Sequence, residues 1–474
     1  MKAYRYEEIA AVIEGDIRAG RYRPGHKLPS VRALKEKYRS STSTVQKVYE
    51  ELIIQGLAVN VPKSGYYVSR TANEVTSGAA GEGLPPVRDA QFVQHLAEIT
   101  SSGLSHHALA EFNVAAPGDL LLPQKLILRT MQQVIREQGA GLLRYYPSNG
   151  APALREHIVK RAAGYNTPLR ADELIITDGA LQALYISLAS VCKAGDLIAV
   201  ESPCVFSVLE TARTLQLQVV EIPIDPTSGL DIDHFKRISA GMAVKAIVVT
   251  PNFQNPTGTL LTDPQKKYLL EIAQARDIAV IENDIYGDLY FSGSRPNTIR
   301  SFDESGLVFT YASYSKTLAA GIRLGWLSPG RYFQKAEQIK FSLGSTVSPI
   351  YQETVSKLLT ATTYERHIRA FRAKLARQAS HTISLLKAHF PAGMQLSVPA
   401  GGYHLWAALP DNVNMKAFYA ACSRIGVRFT PGHIFSNAGA YRQCFRLVFA
   451  DQYTREKERA IRLAGEAARQ NCTP

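Results

Sequence analysis

"SYSKTLAAGIRLGW", Ser313–Trp326, sets a lysine among hydroxyl residues and an arginine seven positions further on. It grows out of "LVFTYAS" (307–313), a short run of apolar, β-branched and aromatic residues that predicts a strand. Ser313, Ser315 and Lys316 therefore fall at the carboxyl end of a strand, where a chain turns, and not on the face of a helix.

Five more runs have the same character: "ELIIT" ending at Thr177, "DLIAVE" at Glu201, "QVVEIPI" at Ile224, "AIVVT" at Thr250 and "IAVIEND" at Asp284. Near-continuous apolar strands separated by helical patterns predict an α/β fold with a mostly parallel sheet covered on both faces. Ligands of such sheets lie beyond the carboxyl ends of the strands. The notable polar residues all follow one of these runs: Gly179, Asn255, Asp284, Tyr286, Ser313, Ser315 and Lys316. A lone lysine after a strand is a surface charge; this whole set on one edge is a site.

Pyridoxal phosphate chemistry uses such a set. A lysine amine forms a Schiff base with its aldehyde, which assigns Lys316. A carboxylate keeps the pyridine nitrogen protonated so that the ring can accept electrons, and "IENDIYGDL" offers Asp284. Asn255 of "NPTG" and Tyr286 are donors for the phenolic oxygen. The phosphate takes a helix N-terminus and a cation: backbone N–H groups at Gly179, Ala180 and Leu181, with Ser313, Ser315 and Arg323 adding side chains.

The first 70 residues read differently. They carry 13 Lys/Arg against 7 Asp/Glu, so nearly half of the chain's formal +13 sits there, a balance suited to nucleic acid. Ile9, Val12, Ile13 and Ile17 are spaced as a helix face, with Gly20 as its stop. Ser30 caps a second helix, "VRALKEKY". Ser40–Thr44 opens a third, with Val45, Val48, Leu52 and Ile53 as its buried stripe. "LAVNVPKSGYYVS" then alternates like two strands about a turn. Three helices and a hairpin predict a winged helix-turn-helix. Small polar residues at the start of the third helix, Ser41, Thr42, Ser43, Thr44 and Gln46, suit close approach to the major groove. Arg32 and Lys63, the latter at the wing tip, are candidate contacts to double-stranded DNA.

"TANEVTSGAAGEGLPP" (71–86) is too poor in large apolar residues to form a core. The expected organisation is a head over 1–70, a linker over 71–109 and a body over 110–474, its larger part about 117–345 and its smaller about 346–474. Five scattered cysteines without a CxxC pair predict reduced thiols and a cytoplasmic setting. The eleven histidines show no metal-ligand spacing, so no metal site is expected, and His404 and His433 read as structural. Tyr403 and Trp406 read as core. No apolar run approaches membrane length, and "MKAYRYEEIAAVIEG" has no signal-peptide core.

The head resembles the GntR-type winged-helix domain in "GRYRPGHKLPSVRALKEKYRSSTSTVQKVYEELIIQGLAVNVPKSGYYV". Thr42 stands where many members have arginine. The body resembles fold-type I aminotransferases over roughly 110–460, in "YYPSNGAPALREHI", "ITDGALQAL", "ESPCVF", "NFQNPTG", "IENDIYG", "SYSKTLAAGIRLGW", "PAGGYHLW", "GVRFTPGHIF" and "FRLVFA". Together they resemble the MocR subfamily of transcription regulators. The resemblance implies Lys316 as the Schiff-base lysine, Asp284 as the pyridinium partner, Arg323 as a phosphate ligand and Arg446 as the grip on an amino acid's carboxylate. It implies Tyr145, with Tyr146 as runner-up, as a residue lent across a homodimer. Val205 occupies the family's ring-stacking position, and the stacking role is assigned to its neighbour Phe206. The implied function is a regulator that binds pyridoxal phosphate and senses an amino acid, an amine or the cofactor itself. The alternative is an active aminotransferase with a DNA-binding appendage.

Overall fold

The structure is a computed structural model that describes residues 5–18, 21–22, 25–54, 57–61, 64–68, 87–89, 109–226 and 228–472. It divides into two compact units, Met1–Gly83 and Leu84–Pro474.

The first unit has helices α1 (Arg5–Arg18), α2 (Val31–Tyr38) and α3 (Thr42–Ile54), then strands β1 (Ala58–Val61) and β2 (Gly65–Val68). The strands form an antiparallel hairpin, from Ala58 opposite Val68 to Val61 opposite Gly65. Ser30 caps α2 by accepting from the Ala33 N–H at 3.2 Å, and Ser41 caps α3 by accepting from the Thr44 N–H at 3.1 Å. Ile9, Ala10, Ile13 and Ile17 of α1 pack with Val45, Val48, Tyr49 and Leu52 of α3. Two expected core positions are corrected: Val12 is 48% exposed and Ile53 38%. Ala10 and Tyr49 lie on the buried side instead, because the helical repeat carries positions 12 and 53 round to solvent. Tyr49 stacks on Tyr66 with ring centroids 3.9 Å apart, which fastens the hairpin to α3. Gly20, Lys63 and the greater part of the expected linker lie outside the described residues.

The second unit contains β3 (Arg88–Asp89), β4 (Ala110–Glu111), β5 (Ile175–Thr177), β6 (Leu197–Ser202), β7 (Gln218–Asp225), β8 (Gly229–Leu230), β9 (Val244–Val249), β10 (Ala279–Asn283), β11 (Val308–Ser313) and β12 (Gly325–Ser328). Then follow β13 (Gln395–Leu396), β14 (His404–Ala408), β15 (Val427–Arg428), β16 (Thr430–Pro431) and β17 (Cys444–Val448). The main sheet runs β3-β7-β6-β9-β10-β11-β12-β5. Strands β7, β6, β9, β10 and β11 are parallel neighbours. β12 is antiparallel to both β11 and β5. Alternate residues feed two cores. Ile198, Val200, Ala246 and Val248 pack on the helix Gly179–Val191, while Ala199, Ile247, Val249 and Val280 pack on the helices Ile232–Gly241 and Asp263–Ala275. A smaller sheet, β13-β14-β17-β16, carries Arg446.

Two differences from expectation matter. Arg88–Asp89, inside the stretch expected to be linker, pairs antiparallel with β7, so the chain joins the sheet before residue 110; a two-residue strand has no periodicity to detect. In sequence β12 is only the tail of the lysine motif. In the fold it brings the chain back alongside β11 and places Gly325 opposite Ser313.

Candidate functional site

A cavity of about 210 Å³ lies at the carboxyl edge of the main sheet. Strand β11 ends at Ser313, and the turn after it carries Ser315 and Lys316 into the cavity. The Ser313 hydroxyl accepts from the Ser315 N–H at 3.1 Å and lies 2.9 Å from the Ser315 hydroxyl. That pair fixes the turn. Lys316 Nζ donates to the Ala115 carbonyl. Burial, with the charges of Arg446 and Arg323, pushes the lysine down to about 8. A buried amine of that kind is neutral often enough to attack a carbonyl near physiological pH.

One end of the cavity suits a phosphate. Gly179 begins the helix Gly179–Val191 with φ +69°, and Ala180 and Leu181 line the wall. The helix start has no side-chain cap, so its first N–H groups stay available. Arg323 crosses this end, donating to the Asp178 carbonyl at 3.2 Å and approaching the Asp178 carboxylate at 3.5 Å. A Cβ on Gly179 would stand 2.8 Å from Arg323 Nη2, and one on Gly325 would stand 2.7 Å from the Gly179 carbonyl carbon. Both glycines are needed for these segments to meet.

Asn255 and Tyr286 also line the cavity. Asn255 Oδ1 accepts from Arg446 Nη1 at 3.2 Å. Tyr403 and Asn255 hydrogen-bond the Tyr286 hydroxyl, and burial holds that phenol well above its usual pKa. Val205 and Phe206 both line the cavity, and Phe206 packs on Phe435 at 5.7 Å.

Arg446 reaches the cavity from β17 and is 1% exposed. It donates to the Asn113 carbonyl and, at 2.9 Å, to the Thr430 hydroxyl. Its Nε has no hydrogen-bond partner among the described residues. Burial pushes the guanidinium down to about 10. Buried charges are normally paired, yet none of the ion pairs among the described residues involves Arg446. His404 packs edge-on against Tyr286 at 5.0 Å, and burial, with Arg446 and Lys316 nearby, keeps it neutral. Tyr403 and Trp406 are buried; Tyr403 donates to the same Ala115 carbonyl as Lys316, at 3.2 Å.

One assignment is corrected. Asp284 does not line this cavity; Asn283 does. Asp284 turns to the opposite side, accepts from Asn252 Nδ2 at 3.0 Å and is ion-paired with Arg295. Successive residues of an extended chain point in opposite directions, so only one of positions 283 and 284 can face the cavity. Residue type favours the aspartate, and register decides otherwise. Tyr145 is 90% exposed and outside the cavity, whereas Tyr146 donates to Glu353 at 2.9 Å within the fold. Asn283, Tyr311 and the Ala115 carbonyl are additions that sequence reasoning missed.

In the first unit Arg32 projects from α2 with its side chain 89% exposed, paired with Glu36 at 3.3 Å. Thr42, Ser43 and Gln46 are exposed at the start of α3. The Ser41 hydroxyl lies 2.8 Å from those of both Ser43 and Thr44, so it belongs to the cap. Among the described residues no helix is long and apolar enough to cross a membrane.

Fold and site define an aminotransferase-type body behind a winged-helix head, and comparison with known proteins agrees. Residues 115–462 match the family of class I and II aminotransferases, and residues 5–68 match the gntR family of bacterial regulatory proteins. The chain is 33% identical to the uncharacterised HTH-type transcriptional regulator YjiR of Escherichia coli, over 98% of each chain. It is 29% identical to the regulator YdcR of the same organism, again over 98% of each. Among solved structures it resembles LysN, an α-aminoadipate aminotransferase of Thermus thermophilus complexed with N-(5'-phosphopyridoxyl)-L-leucine. That likeness has a TM-score of 0.71 and 25% identity, covering 80% of this chain and 97% of that one. The chain belongs to the MocR subfamily of GntR-type transcription regulators. It is a DNA-binding regulator whose cofactor is pyridoxal phosphate.

The cavity fits that group. It offers a buried amine, a glycine cradle beside an arginine, and two further hydrogen-bonding side chains, Asn255 and Tyr286, in the same lining.

Proposed function

We propose that the body reads a small amine carrying a carboxylate, an amino acid above all, and that its occupancy alters how the heads of a homodimer hold a double-stranded operator in the cytoplasm. The observation that carries this reading is Arg446, a buried guanidinium without an acid partner among the described residues, in the cavity that also holds the Lys316 amine. Bound pyridoxal phosphate supplies an aldehyde carbon open to attack by amines. Lys316 holds that carbon. Gly179–Leu181, Ser313, Ser315 and Arg323 hold the phosphate, Asn255 and Tyr286 the phenolic oxygen, and Val205 and Phe206 the ring face. Arg446 takes the effector's carboxylate in a bidentate pair. Asn113 and Thr430 restrain the guanidinium, so a carboxylate meets a positioned partner.

The homodimer is supported by an exposed apolar set. Leu120, Leu128, Ile135, Leu143 and Tyr145 are 49–90% exposed over 26 residues of one segment, the kind of surface that marks an interface. Tyr145 is then available to a neighbour's phosphate. In the head, α3, capped by Ser41, enters the major groove through Thr42, Ser43, Thr44 and Gln46, with Arg32 and Lys63 on the backbone or base edges.

The test is operator affinity at one fixed salt concentration, measured while pyridoxal phosphate and single amino acids are added. A change with amino acids, lost on removal of the cofactor, supports the reading. Sustained turnover of amino acid and keto acid with no sequence-specific DNA binding overturns it.

A further inference from the structure

Three cationic side chains, Lys316, Arg323 and Arg446, line the cavity, and among the described residues no aspartate or glutamate lines it. Asp178, the acid beside Arg323, is not part of the wall. The segment expected to present an acid presents Asn283, the last residue of β10. Its Oδ1 accepts from the Ile285 N–H at 3.2 Å. That bond fixes the orientation of the amide, since only the oxygen accepts, and it turns the NH₂ away from this contact. An amide NH₂ donates and does not accept.

We propose that Asn283 stands where a pyridine-nitrogen partner is required and that it donates to an unprotonated ring nitrogen, so the body holds its cofactor with the electron sink weakened. This inference rests on the proposed cofactor arrangement. With the phosphate, aldehyde, phenolic oxygen and effector carboxylate assigned to other lining groups, Asn283 is the amide left at the strand end. A donor facing the nitrogen opposes protonation, because both would need the same lone pair. Among the described residues no acid lines the cavity to offset the positive charge that a protonated ring would bring. The acid one residue on gives no relief. Asp284 is buried against Arg295 and Asn252 on the other side.

The consequence separates binding from turnover. Abstracting a proton from an α-carbon leaves an electron pair, which a protonated pyridine nitrogen stabilises and a neutral one stabilises far less. Capture of the amine nitrogen at an aldehyde carbon generates no such pair. A cavity built this way engages an amino acid and keeps it, which suits a sensor. Asn283 is then a residue that restrains chemistry.

The experiment is ¹⁵N NMR of the full-length protein loaded with pyridoxal phosphate labelled at the ring nitrogen, alongside Asn283→Asp. The expected wild-type signal is that of an unprotonated pyridine, and Asn283→Asp moves it to the protonated range. In single-turnover mixing with an amino acid, the same substitution speeds conversion to the aminated cofactor by about tenfold or more. A protonated ring nitrogen in the wild type overturns the inference while leaving the cofactor assignment standing. Failure of the wild type to take up the cofactor overturns both. The wild-type spectrum decides even if Asn283→Asp folds poorly.

Discussion

Two clusters of buried charge flank the end of β10, and they are built differently. On one side Arg295 pairs with Asp284 and Asp288, and Arg161 pairs with Asp288 and Glu365. Against the pull of burial, Arg161 and Arg295 hold Asp288 well below the usual carboxylate range. Each cation there has an acid. On the other side Lys316 and Arg446 have none among the described residues, and both are pushed down by burial. The first cluster is complete within the chain and serves the fold. The second is incomplete within the described residues, and the proposed function fills it with the negative charges of a phosphate and a carboxylate.

The difference can be broken or sharpened by substitution, and the largest effect belongs to the lysine. Lys316→Ala abolishes borohydride-trapped attachment of the cofactor; persistence of trapped label would move the linkage to another residue. Arg295→Met comes next, because it leaves buried Asp284 without its cation and Asp288 with Arg161 alone. It should cost about 3–5 kcal/mol in urea unfolding, while Arg446→Met, which abandons no acid, costs clearly less. Equal losses would erase the distinction between the clusters. Arg446→Met should instead weaken amino-acid binding by about 2–5 kcal/mol and leave binding of amines without a carboxylate unchanged, as read by cofactor absorbance. Arg32→Ala should weaken operator binding by about 1–3 kcal/mol with cofactor absorbance intact; loss of both would make Arg32 structural. The smallest effect is on pH. Only the neutral amine attacks, and Lys316 sits at about 8, so the rate of cofactor attachment should climb with pH and level off above that value. A climb continuing toward the ordinary lysine value would mean the amine is not buried in solution.

Much of this was legible in the residues. The apolar runs marked the strands because a sheet buried on both faces needs continuous hydrophobic sequence. The glycines, hydroxyls and arginine after them marked the cavity. That same continuity hid the error at Asp284: a strand buried on both sides carries no alternation from which to read which side chain faces which way. Val12 and Ile53 failed for a related reason, since a stripe predicted from apolar identity overlooked Ala10 and Tyr49, which the helical repeat turns inward. The Ala115 carbonyl was invisible because backbone groups carry no letter. β12 went unread because four residues beside a functional motif look like part of it.

Gly179 and Gly325 stand 146 positions apart, and a methyl group on either would claim space that the neighbouring segment already fills. The anion cradle is thus specified partly by atoms that are missing. Alanine at Gly325 would push on the Gly179 backbone itself, which has no rotamer to yield. Such a change should loosen cofactor grip without altering a single polar group, so a survey of charged and hydroxyl residues alone would look in the wrong place for the lesion.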